Sequence, residues 1–151
     1  MDKITIKKSP KADTRTCDFK KVSKVELMNS TMMHRADVQK GINAIRLMLF
    51  TAMMNHNHTK ISGIDQFYED FKTGFKSTVW WENHVKEERH HLSAHVPDDV
   101  DLVDVIEFLV DGVMAGMARS GKYRKEELPE GLLQKAFDNT VNKMVEAIEV
   151  E

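Results

Sequence analysis

An all-α fold is predicted by three observations on this 151-residue chain. Apolar residues recur at helical intervals over most of its length, Ser, Asp and Gly stand at the ends of those stretches, and no segment holds a convincing strand pattern. The length is that of one domain able to bury a core without disulfide or metal staples. The expected architecture is an up-and-down bundle of about five helices, with residues 1–22 as a polar N-terminal arm and residues 23–151 as a single helical domain.

The arm holds Lys3, Lys7, Lys8, Lys11, Arg15, Lys20 and Lys21 against three aspartates and has no helical period. Ser23 and Glu26 have capping-box spacing, and Val25, Met28, Met32, Val38, Ile42, Ile45 and Leu49 then recur along a helix that reaches about His56. Residues 57–64, with Gly63, read as a loop. A short amphipathic piece carrying Phe67, Tyr68, Phe71 and Phe75 breaks near Gly74. Thr78 is placed to cap a helix from Trp80 to about Leu92, and the segment around Pro97 is a turn. Asp99 or Asp101 starts an apolar helix to about Ala118 that stops at Ser120-Gly121, and a last helix runs from about Pro129 to Glu149.

Composition narrows the function classes. A net charge of −2 gives no electrostatic reason to bind nucleic acid or anionic lipid, and the longest apolar run, residues 44–54, is interrupted by Arg46 and Thr51, so no membrane contact is expected. Cys17 is the only cysteine, which excludes an intrachain disulfide and multi-cysteine zinc ligation. Residues 1–10 lack the apolar segment and cleavage site of a secretory signal, so a cytoplasmic protein is expected. There is no Gly-rich phosphate loop and no nucleophile elbow.

The strongest constellation flanks the Pro97 turn. His84, Glu88 and His91 stand at i, i+4 and i+7 of one helix, and Asp104, Glu107 and Asp111 at i, i+3 and i+7 of the next. Folded as an antiparallel hairpin, the two faces would pair His91 with Asp104, Glu88 with Glu107 and His84 with Asp111, in a ladder about 10 Å long. Facing carboxylates must take up a proton or share a cation, and imidazoles beside carboxylates suit zinc, manganese or iron. Such residues at helical spacing commonly form a solvated face instead, but those between Asp104 and Asp111 are nearly all apolar, which argues for burial. A second, weaker cluster is Asn55-His56-Asn57-His58-Thr59-Lys60, whose lysine and threonine suit a phosphate. His34 lies on the Val38-Ile42-Ile45 face, where a satisfied core histidine is the commoner role.

Several of these segments together resemble a family of small tailed-phage proteins. They are Ala12-Asp13-Thr14-Arg15-Thr16, His56 to Ile61, Glu87-Glu88-Arg89-His90-His91-Leu92, Pro97-Asp98-Asp99-Val100 and Val113 to Gly121, and the likeness covers nearly the whole chain. Members read His-Asp-x-Thr/Ser-Lys where this chain has His56-Asn57-His58-Thr59-Lys60, a pattern similar to that of HD-domain metal phosphohydrolases. The resemblance implies His34, His56 and Asp111 as metal ligands and Lys60 as a phosphate contact, with Asn57 standing where the family has its aspartate. An unbroken helix would hold His34 and His56 about 33 Å apart, so their pairing requires a break, for which Gly41 is the obvious place. Carboxylates on facing helices also resemble the all-α nucleoside triphosphate pyrophosphohydrolases.

The resulting expectation is a metal-dependent phosphohydrolase acting on a nucleotide or nucleotide-like substrate. A divalent cation (Mn, Zn, Fe or Mg) is held by His56, His91, Asp104 and Asp111, with His34 added by the resemblance. Glu107 or Glu88 is the general base, and Lys60 or Arg15 holds phosphate. The alternative is a non-catalytic phage accessory protein, acting in the host cytoplasm, that binds a host factor or sequesters a small molecule around a buried ion-pair network. Association of identical copies stays open.

Overall fold

The computed structural model describes residues 1–76, 79–123 and 125–151, and it is all-α apart from one small sheet. Its helices are α1 (Lys24–Asn55), α2 (His58–Ser62), α3 (Ile64–Lys72), α4 (Trp80–Glu87), α5 (Leu102–Ser120) and α6 (Leu132–Ala147). Strand β1 (Ile4–Ile6) pairs in parallel with β2 (Ile148–Val150), Ile4 opposite Ile148. The chain divides into two compact units, Met1–Met48 with Asn142–Glu151 and Leu49–Val141. Among the described residues, no helix is long and apolar enough to cross a membrane.

In the first unit the supposed arm is tied down. Besides the β1–β2 pairing, the Lys8 amide donates to Glu151 O at 2.8 Å and the Glu151 amide to Ile6 O at 3.0 Å. Three-residue strands with mixed polarity are too short for period-two alternation to register, which is why the sequence showed no strand. The last helix accordingly stops at Ala147 instead of continuing to Glu149. Asp13 caps a 3-10 turn, Thr14–Thr16, and its carboxylate takes the Arg15 side chain at 2.8 Å. The capping box at the start of α1 forms as its spacing predicts: the Ser23 amide donates to Glu26 Oε2 at 3.1 Å and the Glu26 amide to Ser23 Oγ at 3.2 Å. At Gly41 an added Cβ would lie 3.2 Å from Met144 Cε, so the glycine serves close packing and α1 passes it unbroken.

In the second unit, Leu92, Val100, Val105, Leu132 and Ala136 form the core, with Val96, Leu102, Phe108 and Leu128 packed against it. The expected loop after α1 contains α2, and the chain reverses at Gly74 (φ 68°), where the amphipathic piece was expected to break. Phe67 stacks on Trp80 at 4.7 Å between centroids, and Trp80 on His84 at 4.8 Å, giving the paired tryptophans a packing role. The proposed Thr78 cap lies outside the described residues.

Asp101 caps α5 through the Val103 and Asp104 amides, and Asp104 returns a bond from the Asp101 amide, a complete capping box. Gly121 (φ 67°) ends the helix in the left-handed conformation that glycine adopts at least cost. Asp104 has a further partner: Arg89 donates to it from Nε and Nη2, each at 2.7 Å, and from Nη1 to Asp99 at 2.9 Å. Its carboxylate is fully engaged in holding the loop after α4 to the start of α5. This corrects the reading of Asp104 as a metal ligand and of His91 as its partner.

Because Asp104 is buried and accepts two hydrogen bonds from the partly exposed Arg89, Asp104→Asn is expected to destabilise the protein by about 2 kcal/mol, the scale of hydrogen bonds to a charged group. Urea unfolding measures this, and the loss should be the same with and without chelator. A chelator-dependent loss would return Asp104 to the ligand set.

Candidate metal centre

The site is assembled within the second unit from the end of α1, α2, the end of α4 with its following turn, and α5. Helix α1 ends at Asn55, and Asn57 takes a left-handed conformation (φ 58°, ψ 25°), one that asparagine tolerates better than most residues. The chain then re-enters helix at His58. The Glu88 carboxylate covers the first turn of α2, accepting from the Asn57 amide at 3.1 Å, the Thr59 amide at 2.9 Å and the Thr59 hydroxyl at 2.7 Å. Burial alone would raise the Glu88 pKa, but the Thr59 hydroxyl and amide, with His58 and His90, bring it below the usual value.

Helix α4 ends at Glu87, with Glu88 extended (ψ 101°), rather than reaching Leu92. The three bonds to Glu88 reward leaving the helix, and this changes the predicted ladder. His84 remains on α4 and meets Thr59 and His91 instead of Asp111. Glu107 meets His56 Nδ1 at 2.9 Å and His90 Nδ1 at 3.2 Å instead of Glu88. His56 Nε2 lies 3.5 Å from Asp111. Among the described residues, His56, His90 and Asp111 each offer one ligand atom, all within 4.8 Å of one another.

His90 therefore occupies the ligand position expected of His91. Helical spacing puts His90 about 100° away from the His84-Glu88-His91 face, and only the end of α4 turns it inward. The available signal was the doubled histidine after Glu87-Glu88-Arg89. His90 is only 2% exposed; its Nδ1 faces the Glu107 carboxylate at 3.2 Å outside hydrogen-bond geometry, and its Nε2 has no hydrogen-bond partner. Asn57 Oδ1 is likewise buried without a partner, while Asn57 Nδ2 donates to His56 Nε2 at 2.8 Å. Buried polar atoms left in this way cost free energy unless something binds them. Two imidazoles and a carboxylate also form a donor set that suits a divalent transition metal, so these residues fit the implied ion.

Hydrogen bonding determines the imidazole tautomers. The Thr59 hydroxyl proton is given to Glu88, so Thr59 Oγ1 accepts from His84 Nδ1 at 2.6 Å. His84 Nε2 then carries no proton and accepts from His91 Nε2 at 2.8 Å, which leaves His91 Nδ1 with a lone pair. His84 must be neutral for this chain to exist, whereas a neutral His91 follows from its burial rather than from the hydrogen bond. Burial lowers the His84 pKa to about 4, helped by the charge of Lys60, and burial with His90 and His84 lowers that of His91 to about 4. Burial would raise Glu107, but the adjacent His90 ring and the hydrogen bond to His56 hold it below its ordinary value.

Of the remaining candidates, Lys60 directs its charge at His84 and His91. His34 and Arg15 lie in the first unit, His34 Nδ1 3.4 Å from Asp13 and Arg15 bound to the same carboxylate. The break at Gly41 that a His34–His56 pairing needs is absent, so His34 leaves the ligand set. An open groove of about 330 Å³ adjoins the cluster, with Leu49, Met53, Ile106 and Val110 as walls and His56 and Asp111 at its polar margin. Compared with protein-family models, curated proteins and solved structures, the chain matches none.

The two lowered imidazole pKa values predict acid lability of the metal-free protein. Between pH 6.5 and about 4 the unfolded chain binds protons that folded His84 and His91 refuse, so stability falls with pH throughout that window. The slope should approach about 2.7 kcal/mol per pH unit, the two-proton limit. Glu88 and Glu107, whose folded pKa values are lowered, withdraw their contribution only below their ordinary value of 4.5. Chemical unfolding across this range tests the chain, and Thr59→Val should flatten the slope. An unchanged slope in that variant would mean that the imidazoles are not held through Thr59.

Proposed function

We propose that the protein is a metal-dependent phosphohydrolase acting on a nucleotide or nucleotide-like substrate, related to the tailed-phage family that its sequence resembles. One observation carries the reading: His90, buried and with its Nε2 lacking any hydrogen-bond partner, stands beside His56 and Asp111 at ligand spacing. When bound there, a divalent cation would supply Lewis-acid stabilisation of a phosphoryl oxygen and lower the pKa of water. Glu107 accepts the His56 Nδ1 proton and so directs Nε2 toward Asp111, the usual role of a carboxylate behind a ligating imidazole. Metal binding requires the Asn57 amide to give up its bond to that Nε2, and rotating the amide offers the orphaned Oδ1 in its place.

Glu88 is spent on three donors and Glu107 on two imidazoles, so the base role falls to His91 Nδ1. In hydrolysis His91 takes a proton from the attacking water while oxygen bonds to phosphorus and the phosphate–oxygen bond to the leaving group breaks. Burial is the main reason that His84 and His91 are neutral, and a phosphate drawn to Lys60 offsets the smaller contribution of that lysine, which makes His91 a somewhat better base once substrate is present. The apolar groove walls suit the nucleoside portion. The binding-protein alternative draws support from Asn57, whose amide gives His56 a partner without any metal.

Protein purified without chelator or metal-affinity resin should contain a transition metal, and removing it should lower the melting temperature reversibly. Asp111→Asn and His90→Ala should each weaken metal binding by at least about tenfold, and Asn57→Asp should strengthen it. Nucleoside mono-, di- and triphosphates and cyclic nucleotides with manganese, zinc or magnesium test turnover. If the Asn57→Asp variant hydrolyses none of them and melting ignores chelator, the accessory-protein reading replaces this one.

A further inference from the structure

Two aromatic columns run from α3 and the turn after it to the imidazole pair, all within the second unit. In one, Phe67 stacks on Trp80 and Trp80 on His84, its ring 13° from the plane of the imidazole. In the other, Phe75 lies 5.0 Å from Trp81, and Trp81 meets His91 edge-on at 5.6 Å between centroids. Trp81 also reaches His84, at 5.3 Å. Consecutive places on α4 aim the two indoles about 100° apart, so one covers the face of His84 while the other spans both imidazoles.

His91 depends on such a contact. It lies beyond the end of α4, where no helix directs its side chain, and Nε2 makes its one hydrogen bond, to His84. A hydrogen bond between two side chains contributes little once water can replace either partner. The rings of Trp81 and His90, at 5.6 and 4.3 Å, stand where His91 would swing away from His84. The seat of Trp81 is itself strained: Phe75 has φ 62°, in the left-handed region that residues other than glycine enter at a cost. Glycine would make this turn with least strain, as it does at the neighbouring Gly74 (φ 68°), but it would lack the ring that backs Trp81.

We infer that Trp81, seated on Phe75, is a positioning residue for His91: it holds the ring on His84 and so keeps the proton on Nε2 and the lone pair on Nδ1. The inference rests on the reading of His91 as the base. It also gives a role to the second member of the Trp80-Trp81 pair, of which only Trp80 belongs to the buried core.

Nitrogen NMR of the metal-free protein at neutral pH tests this without substrate. Wild-type His91 should be a single tautomer with an Nε2 proton protected from exchange with water. Trp81→Leu should lose that protection and average the tautomers, and Trp81→Phe should restore both, with circular dichroism unchanged. Should Trp81→Leu fail to fold, Phe75→Gly takes its place, because it relieves the strained turn and leaves both indoles; it should average His91 in the same way. In the metal-loaded protein, Trp81→Leu should lower kcat by at least about tenfold at unchanged KM and metal content, since a displaced base forfeits much of the roughly 10²–10⁴-fold that general-base catalysis contributes. A wild-type His91 without a protected Nε2 proton, or a fixed tautomer that survives these substitutions, overturns the inference whether or not any phosphoester is hydrolysed. A tautomer lost in Trp81→Leu and regained in Trp81→Phe, in a protein that hydrolyses nothing, supports the positioning and overturns only the hydrolase reading.

Discussion

The arrangement around the candidate site depends on where the Glu88 carboxylate goes. It satisfies the amide groups at the start of α2, which would otherwise lack partners next to a buried cluster, and it accepts the Thr59 proton. Reaching those donors takes Glu88 out of helix. That departure ends α4 at Glu87, turns His90 inward and frees Arg89 to grip Asp104 and Asp99. One acceptor therefore links the segment after α1 to the segment after α4 and indirectly locates the start of α5.

The charge pattern follows from the same contact. With Glu88 anionic and accepting the Thr59 proton, the chain Thr59, His84, His91 has a single consistent proton assignment, and burial keeps its imidazoles neutral. His56 is organised separately, between the Glu107 carboxylate and the Asn57 amide. His90 lies buried beside the same Glu107 carboxylate, its Nδ1 at 3.2 Å and its Nε2 without a hydrogen-bond partner. Among the described residues of this cluster, His90 Nε2 and the Asn57 amide oxygen are buried without a hydrogen-bond partner. Asn57 is central to both functional readings, because an amide can satisfy His56 by itself whereas an aspartate in its place would add the anionic ligand of the family pattern.

Helix α5 has a different physical character. It is apolar on more than one side, and one side packs on the core around Val105 and Phe108. The acids Glu107 and Asp111 sit between this side and a second apolar one. This accounts for their partial burial in a helix that is otherwise rich in valine, leucine and methionine.

Local signals determined most of the helices, the Ser23–Glu26 cap, a start for α5 at Asp99 or Asp101 and the glycine stops, because period, capping and left-handed turns depend on residues within a few positions of one another. They also pointed to burial of Glu107 and Asp111 in an apolar helix, whereas His56 entered as a weaker candidate at the end of α1 and as a ligand implied by the family resemblance. Local signals did not determine the partners. The parallel β1–β2 pairing joins residues more than 140 positions apart, and Asp104 chose Arg89, which also faces Asp99, over an imidazole. His90 replaced His91 because a carboxylate gained more from capping a distant turn than from extending its own helix by one more turn. Such a competition between one local hydrogen bond and three distant ones is settled only when the whole unit has folded, and tertiary structure therefore chose which histidine faces the site.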